Sequence, residues 1–150
     1  MLKKINLLVN LLFLLILFYL AYQFIQLQNL NLKVLEKSNL LNKAADDFIN
    51  IGFYISILIW ILSNINVVKT KQKWWLLAPL LFTIFVSLVM SWQAECIFIF
   101  NKQNGLWKGG FSLSYFFGLA IIFFAVIIFT INYYIVKSFL NNNMSIKIDK

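Results

Sequence analysis

Four apolar stretches, none interrupted by a charge, divide the chain: Ile5 to about Ile25, Phe48 to Val68, Trp74 to about Trp92, and Phe111 to about Val136. A helix needs about 20 such residues to cross the hydrocarbon of a bilayer. The runs are continuous and do not alternate apolar with polar, which points to helices: each helix satisfies its own backbone groups where no water can. The pattern predicts an all-α integral membrane protein, a four-transmembrane-helix bundle forming a single membrane domain over residues 1–150.

The first stretch follows Lys3 and Lys4 as a signal peptide's would. It is longer than the usual ~7–15 apolar residues, however, and Tyr19-Leu20-Ala21 lacks the small residue expected before a cleavage site, so a retained helix is expected. Between the first two spans, Leu27, Leu30 and Val34 recur at helical spacing until Ser38-Asn39 interrupts them. The first helix is therefore expected to project outward, turn near Ser38 and return through Leu40, Leu41, Ala44 and Ala45. This gives a partly helical first outer loop, with an interfacial helix on the leaflet as the alternative. The second outer segment, Gln93 to Gly110, starts with apolar Cys96 to Phe100, expected to extend the third helix or fold onto the membrane, and ends in turn-forming Asn104-Gly105 and Gly109-Gly110. The polar tail, residues 141–150, is expected to be mobile.

Lysine placement gives the orientation, because short cytoplasmic flanks collect positive charge. With the N-terminus inside, eight lysines (Lys3, Lys4, Lys69, Lys71, Lys73, Lys137, Lys147, Lys150) fall on the inner side and five (Lys33, Lys37, Lys43, Lys102, Lys108) outside. Glu36, Asp46, Asp47 and Glu95 then also lie outside. Trp74 and Trp75 at one end of the third span, and Trp92 about 27 Å further along it, suit the two interfacial belts, as do Trp107, Tyr133 and Tyr134. Trp60, deep in the second span, is expected to pack against protein. The reading is N-in and C-in, in the cell (cytoplasmic or inner) membrane, with the mitochondrial inner membrane as the alternative.

Composition agrees: 62% of the residues are hydrophobic and 12% charged, against about 45–50% and about 25% in soluble domains. A small soluble domain has too little interior to hide so much apolar surface. The net charge of +8 comes entirely from lysine. These lysines sit at the ends of apolar runs, and without arginine there is no bidentate phosphate fork, so nucleic acid is not an expected partner.

The chemical inventory is thin. The chain has no histidine and one cysteine, which removes the usual imidazole base or metal ligand and any Cys-rich metal cage. No acid lies within a span. No catalytic, cofactor-binding or metal-binding residue is assigned. The most suggestive line is Pro79, Thr83, Ser87, Ser91 and Glu95, each four residues after the last. Successive members advance by only about 40° around a helix, so the line stays on one side. It reads either as a wet path ending at Glu95 or as hydroxyls bonding the carbonyl four residues back, in a helix kinked by Pro79. A second pattern is Gly52, Ser56 and Ser63 in the second span against Ser114, Gly118 and Ala125 in the fourth. These equally spaced small residues allow helices to approach closely, so the stripes are expected to face one another or the third helix. Asp46 and Asp47 are expected to favour the N-terminus of the second helix through capping and the helix dipole. Asn10, Gln23, Asn64 and Asn66 are expected at helix interfaces or hydrogen-bonded to neighbours, Cys96 to act as a small buried hydrophobe, and the Phe116-Phe117 and Phe123-Phe124 pairs to meet lipid.

Three functional classes follow. The leading expectation is a non-enzymatic accessory or structural subunit of a larger membrane protein complex, partnered by the lipid bilayer and other membrane subunits. The alternatives are a small oligomeric transporter or channel using the stripe on the third helix, and a membrane enzyme using the outer-side carboxylates Asp46, Asp47 and Glu95.

Overall fold

The computed structural model describes residues 2–107 and 113–145. They form four helices: α1 (Leu2–Asn29), α2 (Val34–Thr70), α3 (Leu77–Gln103) and α4 (Ser114–Ser145), with a 3-10 turn over Lys73–Leu76 ahead of α3. All four are long and apolar enough to cross a membrane. The helices run up and down, and three apolar clusters stack along the bundle. At the end shared by the N-terminus of α1 and the Thr70–Lys73 connection, Val67, Trp75, Leu76, Val136 and Leu140 pack together. In the middle Leu17, Phe48, Ile55, Ile59 and Phe82 meet. At the opposite end Phe24, Leu41, Ala45 and Ile97 close the stack. Aromatic rings bridge α1 to α3, Phe18 to Phe85 at 5.3 Å and Phe24 edge-on to Trp92 at 5.5 Å between centroids.

The bundle is apolar outside as well as inside. Among the described residues 44 large hydrophobic side chains are exposed and 14 hydrophobic side chains are buried. A water-soluble monomer seldom exposes a continuous apolar patch beyond about 300–600 Å², so this surface needs a non-aqueous covering. The aromatic pairs of α4 follow the same pattern, with Phe116, Phe117, Phe123 and Phe124 all exposed.

The helix ends depart from the sequence reading in four places. The turn after α1 lies at residues 30–33, and Ser38 sits inside α2. Lys37 makes that early turn possible, its ammonium donating to the Gln28 and Leu30 carbonyl oxygens at 2.6 and 3.0 Å, which would otherwise be orphaned at the helix end. Because α2 starts at Val34, Asp46 and Asp47 lie three turns in, exposed, and cap nothing. The acid of the first turn is Glu36, and the N-cap position is Lys33 with no side-chain cap. The expected kink inside the third helix is instead a short 3-10 turn before it. Pro79 then falls in the first turn of α3, where proline is tolerated. Finally, α4 continues as helix through Ser145, into the segment read as a mobile tail; residues 146–150, like Gly109-Gly110, lie outside the described residues.

Cys96 to Phe100 extend α3 as one of the two expected outcomes, and Asn104-Gly105 end it. The Leu106 amide bonds the Asn101 carbonyl at 2.9 Å and the Gly105 amide bonds that of Lys102 at 3.3 Å. This is a Schellman closure, with Gly105 at φ +70°, a conformation that glycine takes without a Cβ penalty. At that end α2 and α3 are tied by Ser38 Oγ donating to Asn101 Oδ1 at 2.8 Å.

Candidate functional site in the cleft between α2 and α4

α3 packs against both α2 and α4. Gly52 of α2 and Gly118 of α4 both lie against it, so neither stripe faces the other at these positions. A methyl group added at Gly52 would stand 2.9 and 3.2 Å from the two γ-carbons of Val86 and 3.7 Å from Leu17 Cδ2. One at Gly118 would collide with Ser91 Oγ and stand 3.2 Å from Ser91 Cβ and 3.3 Å from the Ser87 carbonyl oxygen. Of the other small residues, Ser63 is buried, Ser56 and Ala125 are half-buried, and only the backbone of Ser114, at the start of α4, is described.

Because α2 and α4 each pack on α3 and meet each other mainly at the Lys137 end, a cleft remains between them. It holds a cavity of about 460 Å³, lined from α2 by Phe53, Ser56 and Trp60, from α3 by Pro79, Thr83 and Ser87, and from α4 by Phe124, Ala125, Phe129 and Asn132. Trp60, expected to be packed against protein, is 41% exposed and forms part of this wall. A second cavity of about 580 Å³ lies toward the Gly105 end, lined by Asn42, Asp46, Ser91, Asn101, Trp107 and Phe117 among others. Ile49 and Met90 line both, so the two cavities adjoin there.

The polar stripe of α3 is thereby divided. Pro79, Thr83 and Ser87 face the first cavity and Ser91 the second, while Glu95 lines neither. Its hydroxyls do not face one another. Thr83 donates to the Pro79 carbonyl (2.8 Å), Ser87 to that of Thr83 (2.8 Å) and Ser91 to that of Ser87 (2.9 Å), the i−4 bonding open to a hydroxyl inside a helix. Ser56 does the same to Gly52 at 2.8 Å. Glu95 is half-buried, and its Oε2 is buried without a hydrogen-bond partner. The acids do not assemble into a metal-competent group: among the described residues no three His, Cys, Asp or Glu side chains come together. Cys96 is half-buried beside the cluster of Phe24 and Ile97.

Two features, Asn132 and Gln93, escaped the sequence reading. Asn132, the one amide within the apolar run of α4, donates to Asn64 Oδ1 at 3.1 Å and ties α4 to α2 at the Lys137 end of the cleft; its polarity amid Ile and Phe was the available signal. Gln93 is fully buried, with neither amide atom hydrogen-bonded. Asn66 Oδ1 and Trp75 Nε1, an acceptor and a donor in the lysine-rich half of the bundle, are both buried and unpartnered. No protein-family model, curated protein or solved structure matches the chain.

Proposed function

We propose that this chain is a multi-pass protein of the cell (cytoplasmic or inner) membrane, oriented N-in and C-in, acting as a non-enzymatic accessory subunit of a larger membrane protein complex. The observation that supports it is the exposure of α1 and α4. Both are apolar around most of their circumference and contribute little to the buried interior, so lipid and neighbouring subunits have two long aromatic-rich faces to cover. The orientation rests on Lys69, Lys71, Lys73 and Lys137 sharing one end of the bundle. Mild solubilisation from native membranes is expected to bring down other membrane proteins in fixed stoichiometry, and recovery of a bare monomer under several gentle conditions would count against the subunit role. Sidedness is checked with an impermeant thiol reagent on a Cys96→Ser background: Asn104→Cys is expected to label in intact cells and Lys71→Cys only after permeabilisation, and the reverse pattern inverts the topology.

A second reading, an oligomeric transporter or channel, is favoured by the two cavities meeting at Ile49 and Met90. It expects flux in reconstituted vesicles that Met90→Trp, at the meeting of the two cavities, abolishes; wild-type vesicles without flux, or an indifferent variant, remove it.

A further inference from the structure

We propose that the cleft between α2 and α4 is a binding site for one anionic phospholipid, with an acyl chain in the 460 Å³ cavity and the headgroup phosphate among Lys69, Lys71, Lys73 and Lys137. This rests on the membrane reading above and adds a ligand to it.

The length and lining of the cavity suit a tail. From Ile49 to Trp60 it follows α2 for roughly 17 Å at 1.5 Å per residue, an elongated slot open along one side with walls from three helices. Its chemistry agrees, because the hydroxyls and the Asn132 amide nitrogen in its walls are already donating. Ser56, Thr83 and Ser87 donate to their own helices and Asn132 to Asn64, leaving Phe53, Trp60, Phe124 and Phe129 as the surface an occupant would meet.

Charge selects the head. Lys73 lies six residues before Pro79 and Lys137 five after Asn132, the two residues that mark one end of the slot. On helices this separation is roughly 7–9 Å, about the reach from the first acyl carbons to a phosphate. The acids among the described residues, Glu36, Asp46, Asp47 and Glu95, belong to the opposite half of the bundle, so nothing described there neutralises these lysines. Each lysine near an anionic headgroup is expected to raise affinity roughly fivefold.

Delipidated full-length protein in mild detergent is titrated with phosphatidylglycerol, phosphatidylcholine of the same acyl chains, and glycerol 3-phosphate, with bound species counted by native mass spectrometry. One phosphatidylglycerol is expected to bind roughly 25-fold tighter than phosphatidylcholine if two lysines engage it, and glycerol 3-phosphate not at all. Lys73→Gln with Lys137→Gln is expected to lower the preference roughly 25-fold while leaving the neutral lipid bound. Ala125→Phe, which fills the slot, is expected to reduce both lipids; Ser56→Leu fills it from α2 and decides the matter if the first variant misfolds. Equal retention of the two lipids by the wild type overturns the site, as does undiminished binding in the filled variants. Recovery of the chain in the supernatant of detergent-free lysates would instead overturn the membrane reading, a separate result.

Discussion

Gly118→Leu is expected to destabilise the bundle more than any other single change in the small-residue stripes. Gly118 lets α4 approach until its Cα faces Ser91 and the Ser87 carbonyl. A β-carbon there would meet Ser91 Oγ, and if that hydroxyl rotated away, Ser91 Cβ at 3.2 Å and the Ser87 oxygen at 3.3 Å would remain. Neither of the latter can yield without moving the α3 backbone. Overpacking of this kind costs about 1–3 kcal/mol, sometimes more. The leucine is expected to exceed that range because it adds three further carbons beyond a β-carbon that already meets Ser91 and the Ser87 oxygen, and Gly118→Ala to fall within it. The measurement is the thermal midpoint of purified protein in detergent. Ser91→Ala removes the colliding hydroxyl and is expected to recover part of the Gly118→Ala loss, giving a coupling of about 0.5–3 kcal/mol as for other contacting pairs. A leucine variant melting with the wild type would show that α4 does not dock at this crossing. By contrast, Gly52 meets only the methyl groups of Val86 and Leu17. Side chains can move aside there, so the same substitution is expected to cost less.

The difference between these two glycines also shows what the sequence could and could not convey. Their spacing with Ser56, Ser63 and Ala125 was legible, because close helix approach requires small residues wherever it occurs. Which helix each one meets depends on the azimuth of every helix about its axis, which no local pattern carries. The spans were legible for a similar reason: a length of apolar chain matched to hydrocarbon constrains the fold without reference to neighbours. The turn at residues 30–33 was not. It contains neither glycine nor proline, and it closes through Lys37 reaching back nine residues to Gln28. Ser38-Asn39 looked like the break, but Ser38 is held inside α2 by Asn101, 63 residues away. Pro79 was read as a disturbance in a helix because the 3-10 turn that moves the helix start to Leu77 leaves no mark in composition. The cleft is the least legible feature of all. It exists because α2 and α4 share α3 without filling the space between them, and a gap has no residues of its own.

Gln93→Met is expected to stabilise the protein. Gln93 is completely buried, with Val89 one turn before it and Ile97 one turn after it on α3, the first packing against the middle cluster and the second belonging to the cluster at the Gly105 end. Neither its Oε1 nor its Nε2 has a hydrogen-bond partner. Leaving a buried amide unbonded costs about 1–3 kcal/mol in mutational series, whereas an apolar group of the same shape carries no such cost. Methionine keeps the length and flexibility of glutamine, so the exchange removes the polarity while leaving the packing nearly unchanged. The thermal midpoint in detergent should rise by the equivalent of about 1–3 kcal/mol, with greater resistance to unfolding in dodecyl sulfate. A midpoint unchanged or lowered would mean that the amide is satisfied in the folded protein, by water held among α1, α2 and α3, and that water would itself become part of the structure. A midpoint that rises gives a stable variant whose companions and lipid can be compared with those of the wild type. Loss of either from a better-folded protein would locate the use of Gln93 in binding, since instability could no longer account for the loss.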